Sequence, residues 1–533
     1  MPIVVERDYY ESVFCYRVDG KPATERRGSS MNIPPLQQRV IRPLLALVAG
    51  AMFPLGFAPL GYSVVAPFAV GLLFLLWFPL NGAGAALLGF CFGLGAFTVG
   101  VSWVFVSLHT FGNMPAFLAA LVVAIFVAIM ACYPAACGFL QARLRYLPRS
   151  IRMLLVMPVA WVLLEWLRGW FLGGFPWLYL GYGQVDTPLA AVAPLAGVLA
   201  VSLLAAMAGA ASALVLIGNV RERLYAVAVF FLVFGTGYLA GRLVFVEPDG
   251  DLVKIAVIQN DVALADKWNQ TKLDHIVSDY LEASADETDA DLIVWPEAAL
   301  PVYLDQLSTL FLRQLVEHPA DYLFGVVERQ HGANGERYYN SAVGIANDLL
   351  LYRKQQLVIF GEYLPLPFLF RWLLDYLEIP MSNFSSWPTN QLPMMLAGQK
   401  IGVSICYEDA FQQQIRASLP GATLLANISE DAWFGNSLAP WQRLQIARFR
   451  ALEVGRPLVR ANNNGLSALI DHRARVVALA PQFRAYILRG ELQPVQGMTP
   501  FVRFGNLPLL VLLVLLLLGG FAACWITRAE DRA

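Results

Sequence analysis

Charge is scarce in this chain. Of 533 residues only 14% are Asp, Glu, Lys or Arg, while 57% are hydrophobic. A soluble domain carries about 25% charge, so the composition excludes an ordinary soluble protein and indicates a membrane protein. Net charge is −1, which leaves no basic excess for nucleic acid. Histidines number 5 and cysteines 6. No CxxC pair, no metal-ligand spacing and no phosphate-cradling glycine loop occurs, so no metal or organic cofactor is implied. Cys91, Cys132, Cys137 and Cys524 lie in apolar runs and read as small hydrophobes. A disulfide framework would need paired thiols in the polar part of the chain, and Cys406 is alone there.

The little charge present is unevenly placed. Residues 43–246 are nearly free of Lys, Asp and Glu, whereas 247–503 look like a globular domain. A spanning helix needs about 20 apolar residues. Seven spans are expected before the polar block, at about 41–59, 62–80, 83–107, 115–140, 152–172, 188–218 and 223–245. Pro54, Pro59 and Pro67 interrupt the first two, and an eighth span follows at about 504–526. Basic residues cluster at Arg39 and Arg42, at Arg143, Arg145, Arg149 and Arg152, at Arg221 and Arg223, and at Arg528 and Arg532. The alternate loops, around Gly61, Thr110 and Gln184, are nearly free of them. With all eight spans crossing, the basic sites share one side, which is then the cytoplasm. The polar block lies on the other side and both termini lie inside. The expected organisation is an N-terminal cytoplasmic segment (1–38), seven transmembrane helices (39–246), an extracytoplasmic domain (247–503), an eighth helix (504–526) and a cytoplasmic tail (527–533). Residues 1–30 read as disordered, and Met31 is an alternative start.

Within the polar block, short apolar runs alternate with helical patterns. VKIAVIQ, DLIVWPE, YLFGVVER, NSAVGIAN, LLLYRKQQL, KIGVSICYED (passing into a helix), TLLANISED, PLVRANNNGLSALID and RVVALAP read as strands. Stretches at about 271–287 and 409–418, and WQRLQIARFRALEVGR, read as helices. Strands alternating with helices give an α/β domain, and runs such as LIVW suit strands buried on both faces. Open α/β sheets gather their active groups at strand ends. Glu297 and Cys406 each fall just past such an end, and Lys354 lies in LYRKQQL.

A thiol with a carboxylate base and an ammonium at hand can form a covalent acyl intermediate. Each residue also has a plainer reading: Cys406 as a core thiol, Glu297 as a solvated strand-end carboxylate, Lys354 as an exposed strand residue. His275, His318, His331 and His472 offer another base for the thiol, but none has a strand-end setting and they read as surface residues. LPLPFLFRWLLDYLEIP (364–380) is either a core helix or an interfacial lid. WFGNSLAPW (433–441) is either packing or a mobile loop. Charges inside the spans are chiefly Glu165 and Arg168, expected to pair at helical spacing. They are too few for a transporter carrying a sensing domain.

VWPE, then lysine, then ICYED, ANISEDAWFG and RALEVGRPLVRANNNG resemble the carbon–nitrogen hydrolase (nitrilase) superfamily in order and spacing. Together with the spans, WLRGWFLGGFPWLYLGYGQ (166–184) and FGEYLPLP (360–367) look like its membrane branch, the apolipoprotein N-acyltransferases. The resemblance covers 39–527, and residues 1–30 have no counterpart in it. It implies a membrane helical bundle plus a nitrilase-like α-β-β-α sandwich. It also implies a bacterial inner-membrane enzyme whose catalytic domain faces the periplasm. The implied reaction moves an acyl chain from a phospholipid, through a cysteine thioester, to the amine of a diacylglyceryl apolipoprotein. The implied triad falls on Glu297, Lys354 and Cys406. Supporting roles fall on Glu362, Tyr407, Glu408, Trp433 and Trp268. Where the family more often has Asn before the Asp of the WFG motif, this chain has Glu430. A membrane-anchored amidase or nitrilase acting on small amides is the alternative, although one anchor would serve it.

Overall fold

In the computed structural model the described residues are 35–269, 271–332, 335–359, 361–363, 384–388, 390–419 and 421–530. The expectations for residues 1–34 and for the apolar segment 364–380 fall outside them. Arg42–Ala533 form one compact unit.

Among the described residues, seven helices are long and apolar enough to cross a membrane: Arg39–Gly56, Gly82–Gly100, Ala116–Ala142, Arg149–Arg168, Pro188–Ile217, Val220–Ala240 and Leu507–Ala529. The expected span at 62–80 is shorter than anticipated, because its helix covers only Val65–Trp77. At 1.5 Å per residue, 13 residues reach about 20 Å, short of a hydrocarbon core of about 30 Å. The helix nevertheless joins the two ends of the bundle. Before it, the Ser63 carbonyl accepts from Gln184 at 2.7 Å. After it, the guanidinium of Arg152 lies 4.7 Å above the Phe78 ring. It packs against the helix containing Ala193–Ile217 with almost no separation: a Cβ on Gly71 would fall 2.2 Å from the Gly209 carbonyl oxygen. Small residues permit such backbone approach between membrane helices. The span expected to reach 107 instead ends at Gly100, and Trp103–Val106 and Ser107–Phe111 follow as separate turns.

Glu165 and Arg168 do not pair as expected. Glu165 accepts from Trp161 Nε1 at 2.9 Å and from the Leu180 amide at 2.8 Å. Arg168 donates to the Trp177 carbonyl and covers the Phe97 ring. The loop at 172–180 folds back into the bundle and supplies the partners that helical spacing alone would have assigned to each other.

Fifteen strands follow among the described residues: β1 (Val246–Pro248), β2 (Val253–Gln259), β3 (Leu292–Val294), β4 (Leu300–Tyr303), β5 (Asp321–Gly332), β6 (Gly335–Ile345), β7 (Leu349–Arg353), β8 (Met394–Leu396), β9 (Gln399–Ile405), β10 (Leu424–Ser429), β11 (Leu458–Asn462), β12 (Ala468–Ile470), β13 (Val476–Leu479), β14 (Tyr486–Leu492) and β15 (Val495–Gly497). They form two main sheets, in the orders β14-β2-β3-β5-β6-β7 and β13-β12-β11-β10-β9-β8, with β4 beside β5 and β1 paired to β15. The centre of each sheet is a parallel triplet, β2-β3-β5 and β9-β10-β11. The inner faces meet through Val257, Val294 and Leu323 from one sheet and Val403, Ala426 and Val459 from the other. Outer-face residues Ile293 and Phe324 pack under helices Leu273–Ala285 and Thr309–Glu317. Leu425 and Leu458 pack under helices Gln412–Ala417 and Ala439–Val454. Apolar residues facing both ways from one strand produce a helix–sheet–sheet–helix stack, as anticipated. Strand β14 was not anticipated, and it closes the first sheet antiparallel to β2.

Helix Ala439–Val454 is shared between the two halves of the molecule. Leu444, Ala447 and Ala451 face the second sheet, whereas Ile446 and Phe449 belong to the bundle's apolar core. Its polar residues bind the bundle too. Gln442 accepts from Trp103 and Trp177 and donates to the Gly100 carbonyl, and Gln445 accepts from the Ala58 amide. Arg448 pairs with Asp186.

Candidate active site

The three residues expected to act together do converge, at strand ends: two past central strands, β3 and β9, and one past the edge strand β7. Cys406 follows β9 directly, Lys354 follows β7 directly, and Glu297 lies three residues beyond β3. Cys406 has φ +53°. This left-handed backbone costs a non-glycine residue on the order of 1–2 kcal/mol. Strain of this kind marks the sharp strand-to-helix turn that presents a nucleophile.

Lys354 Nζ lies 3.3 Å from Glu297 Oε1 and 2.7 Å from Glu362 Oε1. Asn340 Nδ2 donates to the same two oxygens, at 2.7 and 3.0 Å. Glu362 is fixed in turn by the Val358 amide at 2.8 Å. Lys354 and Glu297 are both buried. Burial pushes the Glu297 carboxyl up, but the Lys354 ammonium, Asn340 and the Cys406 thiol outweigh it, and the net shift is downward. Glu297 Oε2 takes no hydrogen-bond donor among the described residues. Burial pulls Lys354 down, and Glu297 and Glu362 more than reverse this, so it stays protonated. The Cys406 thiol is pushed up to about 12, by burial and then by Glu297, against the pull of Arg443 and Lys354. The resting sulfur is a neutral thiol beside an ionised carboxylate.

Glu408 is wholly buried and links the two turns. It accepts the amides of Ile405 (2.7 Å), Gln355 (2.6 Å) and Gln356 (3.1 Å) and the Tyr352 hydroxyl (3.0 Å). Tyr407 points at the membrane half: its hydroxyl reaches the Gly174 carbonyl at 3.4 Å and its ring stacks on Trp177. Trp433 lies in the turn Ala432–Phe434, where its carbonyl accepts from Ser107 at 2.9 Å and Phe434 meets Trp103 edge-on. Trp268 caps the short helix Leu264–Lys267 and is half-buried. Among the described residues its side chain makes no hydrogen bond or ring contact. Glu430 is a buried partner of Lys267, which also donates to the Glu297 carbonyl at 3.0 Å. His275 and His331 are exposed and pair with surface carboxylates.

Two site residues were missed in the sequence. Asn340 sits inside β6, and Arg443 inside a helix, with its Nη1 3.6 Å from Cys406 Sγ. Neither lies at a strand end, so local pattern gives no sign of them.

Residues 49–211 match the Apolipoprotein N-acyltransferase N-terminal domain, and residues 254–497 match the Carbon-nitrogen hydrolase family. The apolipoprotein N-acyltransferase of Methylococcus capsulatus is 40% identical over 470 residues, covering 87% of this chain and 93% of that protein. That of Nitrosomonas europaea is 39% identical, covering 92% and 99%, and that of Vibrio cholerae 34%, covering 89% and 95%. Among solved structures, the carbon–nitrogen hydrolase of Helicobacter pylori aligns at 16% identity and a TM-score of 0.35, covering 45% of this chain and 89% of that one. Relatives at 34–40% identity matched along nearly their whole length, with seven helices long and apolar enough to cross a membrane, show that this chain is a multi-pass membrane member of the apolipoprotein N-acyltransferase family.

Proposed function

We propose that this protein transfers a fatty acyl chain from a membrane phospholipid to the N-terminal amine of a diacylglyceryl-cysteine apolipoprotein, through a thioester on Cys406. The observation that carries the mechanism is Cys406 on a strained turn, with the Glu297 carboxyl, whose Oε2 takes no donor among the described residues, and the Lys354 ammonium gathered at the site. As Sγ attacks the ester carbonyl, Glu297 takes the thiol proton. Lys354 faces the charge that develops on the carbonyl oxygen, a contribution of roughly 3–4 kcal/mol by comparison with other oxyanion donors. Collapse breaks the ester C–O bond, and Glu297 returns the proton to the departing oxygen, releasing a lysophospholipid. The acceptor amine then attacks the thioester, loses a proton to Glu297 and expels the thiolate. Tyr407 and the Trp433 turn contact the bundle, so the site opens beside membrane segments where lipid chains reside and water is scarce. A singly anchored amidase would have no use for those contacts.

The same reading places the catalytic half outside the cytoplasm of the bacterial inner membrane. Arg149, from one basic loop, bonds Glu222, from the next, at 2.8 Å. Loops poor in basic residues meet the catalytic half instead, through Ala58 to Gln445, Ser107 to Trp433 and Asp186 to Arg448. The basic face is then cytoplasmic.

The test uses the purified full-length protein and a phospholipid with an isotopically labelled acyl chain. Mass spectrometry should find that chain on the Cys406 peptide, released by hydroxylamine and passed to a diacylglyceryl peptide. A wild-type protein that acylates the peptide with no adduct on Cys406 would remove the thioester route.

A further inference from the structure

We propose that Arg443 is a catalytic residue that stabilises the Cys406 sulfur as a thiolate, leaving Lys354 to the substrate oxyanion. The inference rests on the thioester reading above. Arg443 Nη1 donates toward Cys406 Sγ at 3.6 Å, a reasonable length for a contact to sulfur. The guanidinium is held from behind. Nη1 also pairs with Asp431, and Nη2 reaches Ser429 Oγ at 3.0 Å and Asp409 at 3.5 Å. Arg460 shares both carboxylates, at 2.7 Å to Asp409 and 3.0 Å to Asp431. All four side chains are buried.

Charge counting separates the two cations near the sulfur. Lys354 stands between two carboxylates, Glu297 and Glu362, so that group is net negative when ionised. Arg443 belongs to a group of two guanidiniums and two carboxylates, which is net neutral, and it turns a positive N–H toward Sγ. A guanidinium with rigid backing loses little freedom in doing so, and in a buried site it needs no reorganisation when charge appears. Lys354, by contrast, has its carboxylates on hand but no bond to sulfur among the described residues. The thiolate exists twice per turnover. It forms as the thiol proton passes to Glu297 and the S–C bond is made. It forms again when the N–C bond is complete and the C–S bond breaks with its electron pair on sulfur, before Glu297 returns the proton. Arg443 faces sulfur at both moments.

The plainer alternative is that Arg443 only neutralises Asp409 and Asp431. The two roles differ in what they do to the thiol. In detergent-solubilised full-length protein, iodoacetamide labelling of Cys406, read on its own peptide, reports the thiolate fraction at fixed pH. Single-turnover thioester formation from a labelled phospholipid reports the first half-reaction. Arg443→Gln should slow labelling at pH 9 about tenfold, the equivalent of one pKa unit, and slow thioester formation at least as much, with KM for the phospholipid unchanged. Arg443→Lys should recover much of both. A folded Arg443→Gln protein with wild-type labelling and thioester rates overturns the proposal, as does a lysine variant no better than glutamine. Should Arg443→Gln not fold, Asp409→Asn carries the test. It removes one carboxylate from the group, so labelling should quicken, and unchanged or slower labelling overturns the proposal. Wild-type protein that forms no thioester would instead end the parent reading.

Discussion

Glu408 accepts the backbone amide of Gln355 at 2.6 Å, although the two residues lie in turns that leave different sheets. One carboxylate thus holds the turn after Lys354 against the turn that carries Cys406. Glu408→Gln keeps the shape but presents an amide to N–H donors. Each buried donor left unpaired costs about 1–3 kcal/mol. The variant should melt several degrees lower and form the Cys406 thioester at least tenfold more slowly, measured by thermal unfolding and single-turnover labelling.

Backbone strain at Cys406 gives a second expectation. Cys406→Ala should insert and fold but form no thioester, because the described catalytic half has no other thiol. Cys406→Gly should be equally inactive yet more stable than Cys406→Ala by about 1 kcal/mol, since glycine adopts positive φ without penalty. Equal thermal stability of the two variants would contradict the strain.

The half-reactions should differ in pH dependence. Glu297 is held below the usual carboxylate range and Cys406 is raised to about 12. Both keep their resting forms between about pH 6 and 9, so thioester formation should be nearly flat there. Transfer to the acceptor should rise as its α-amine deprotonates, with a midpoint of about 8. Stability has the opposite limb. The depressed carboxyl contributes above its unfolded value, and the contribution is lost as pH falls through the folded value. Rapid-quench measurement of each half-reaction checks the split.

Asn340 donates to both carboxylates around Lys354. Asn340→Ala should leave the fold intact and slow thioester formation about 5- to 160-fold, the equivalent of the 1–3 kcal/mol for an unpaired buried group. Asn340→Asp should be slower still, because it adds a third carboxylate beside a single ammonium.

Orientation is accessible by thiol labelling in the Cys406→Ala background. Arg337→Cys, on an exposed strand, should react in cells with a permeabilised outer membrane. Pro148→Cys, between the basic residues Arg145 and Arg149, should react only after lysis, with native cysteines measured in parallel. The reverse pattern would place the catalytic half in the cytoplasm.

How legible this was from sequence differs by residue. Glu297 and Cys406 stand just past the ends of apolar strands, which are local events that hydrophobic pattern records, whereas the end of β7 before Lys354 is set by its pairing with β6. Asn340 and Arg443 reach the site from inside a strand and a helix, by tertiary packing that spacing does not encode. The eight apolar stretches were visible, but the 13-residue length of Val65–Trp77 was not, because the apolar run continues past both helix ends. Pairing of Glu165 with Arg168 failed for a tertiary reason. A loop distant in sequence supplies better partners to each.

Helix Ala439–Val454 bears on how freely the two halves can be recombined. Recognisable sequence domains end at 211 and resume at 254, as if the catalytic half were a separate module. The helix denies that seam: Arg443 touches the nucleophile while its neighbour Gln442 bonds Trp103, Trp177 and Gly100 in the membrane half. A chimera joining this catalytic half to another bundle would leave Gln442 and Phe449 without matching partners, one residue and two turns from Arg443. Insertion into the bilayer is in this sense part of active-site assembly, and any exchange of halves must carry the facing bundle segments, 98–111 and 173–182, along with it.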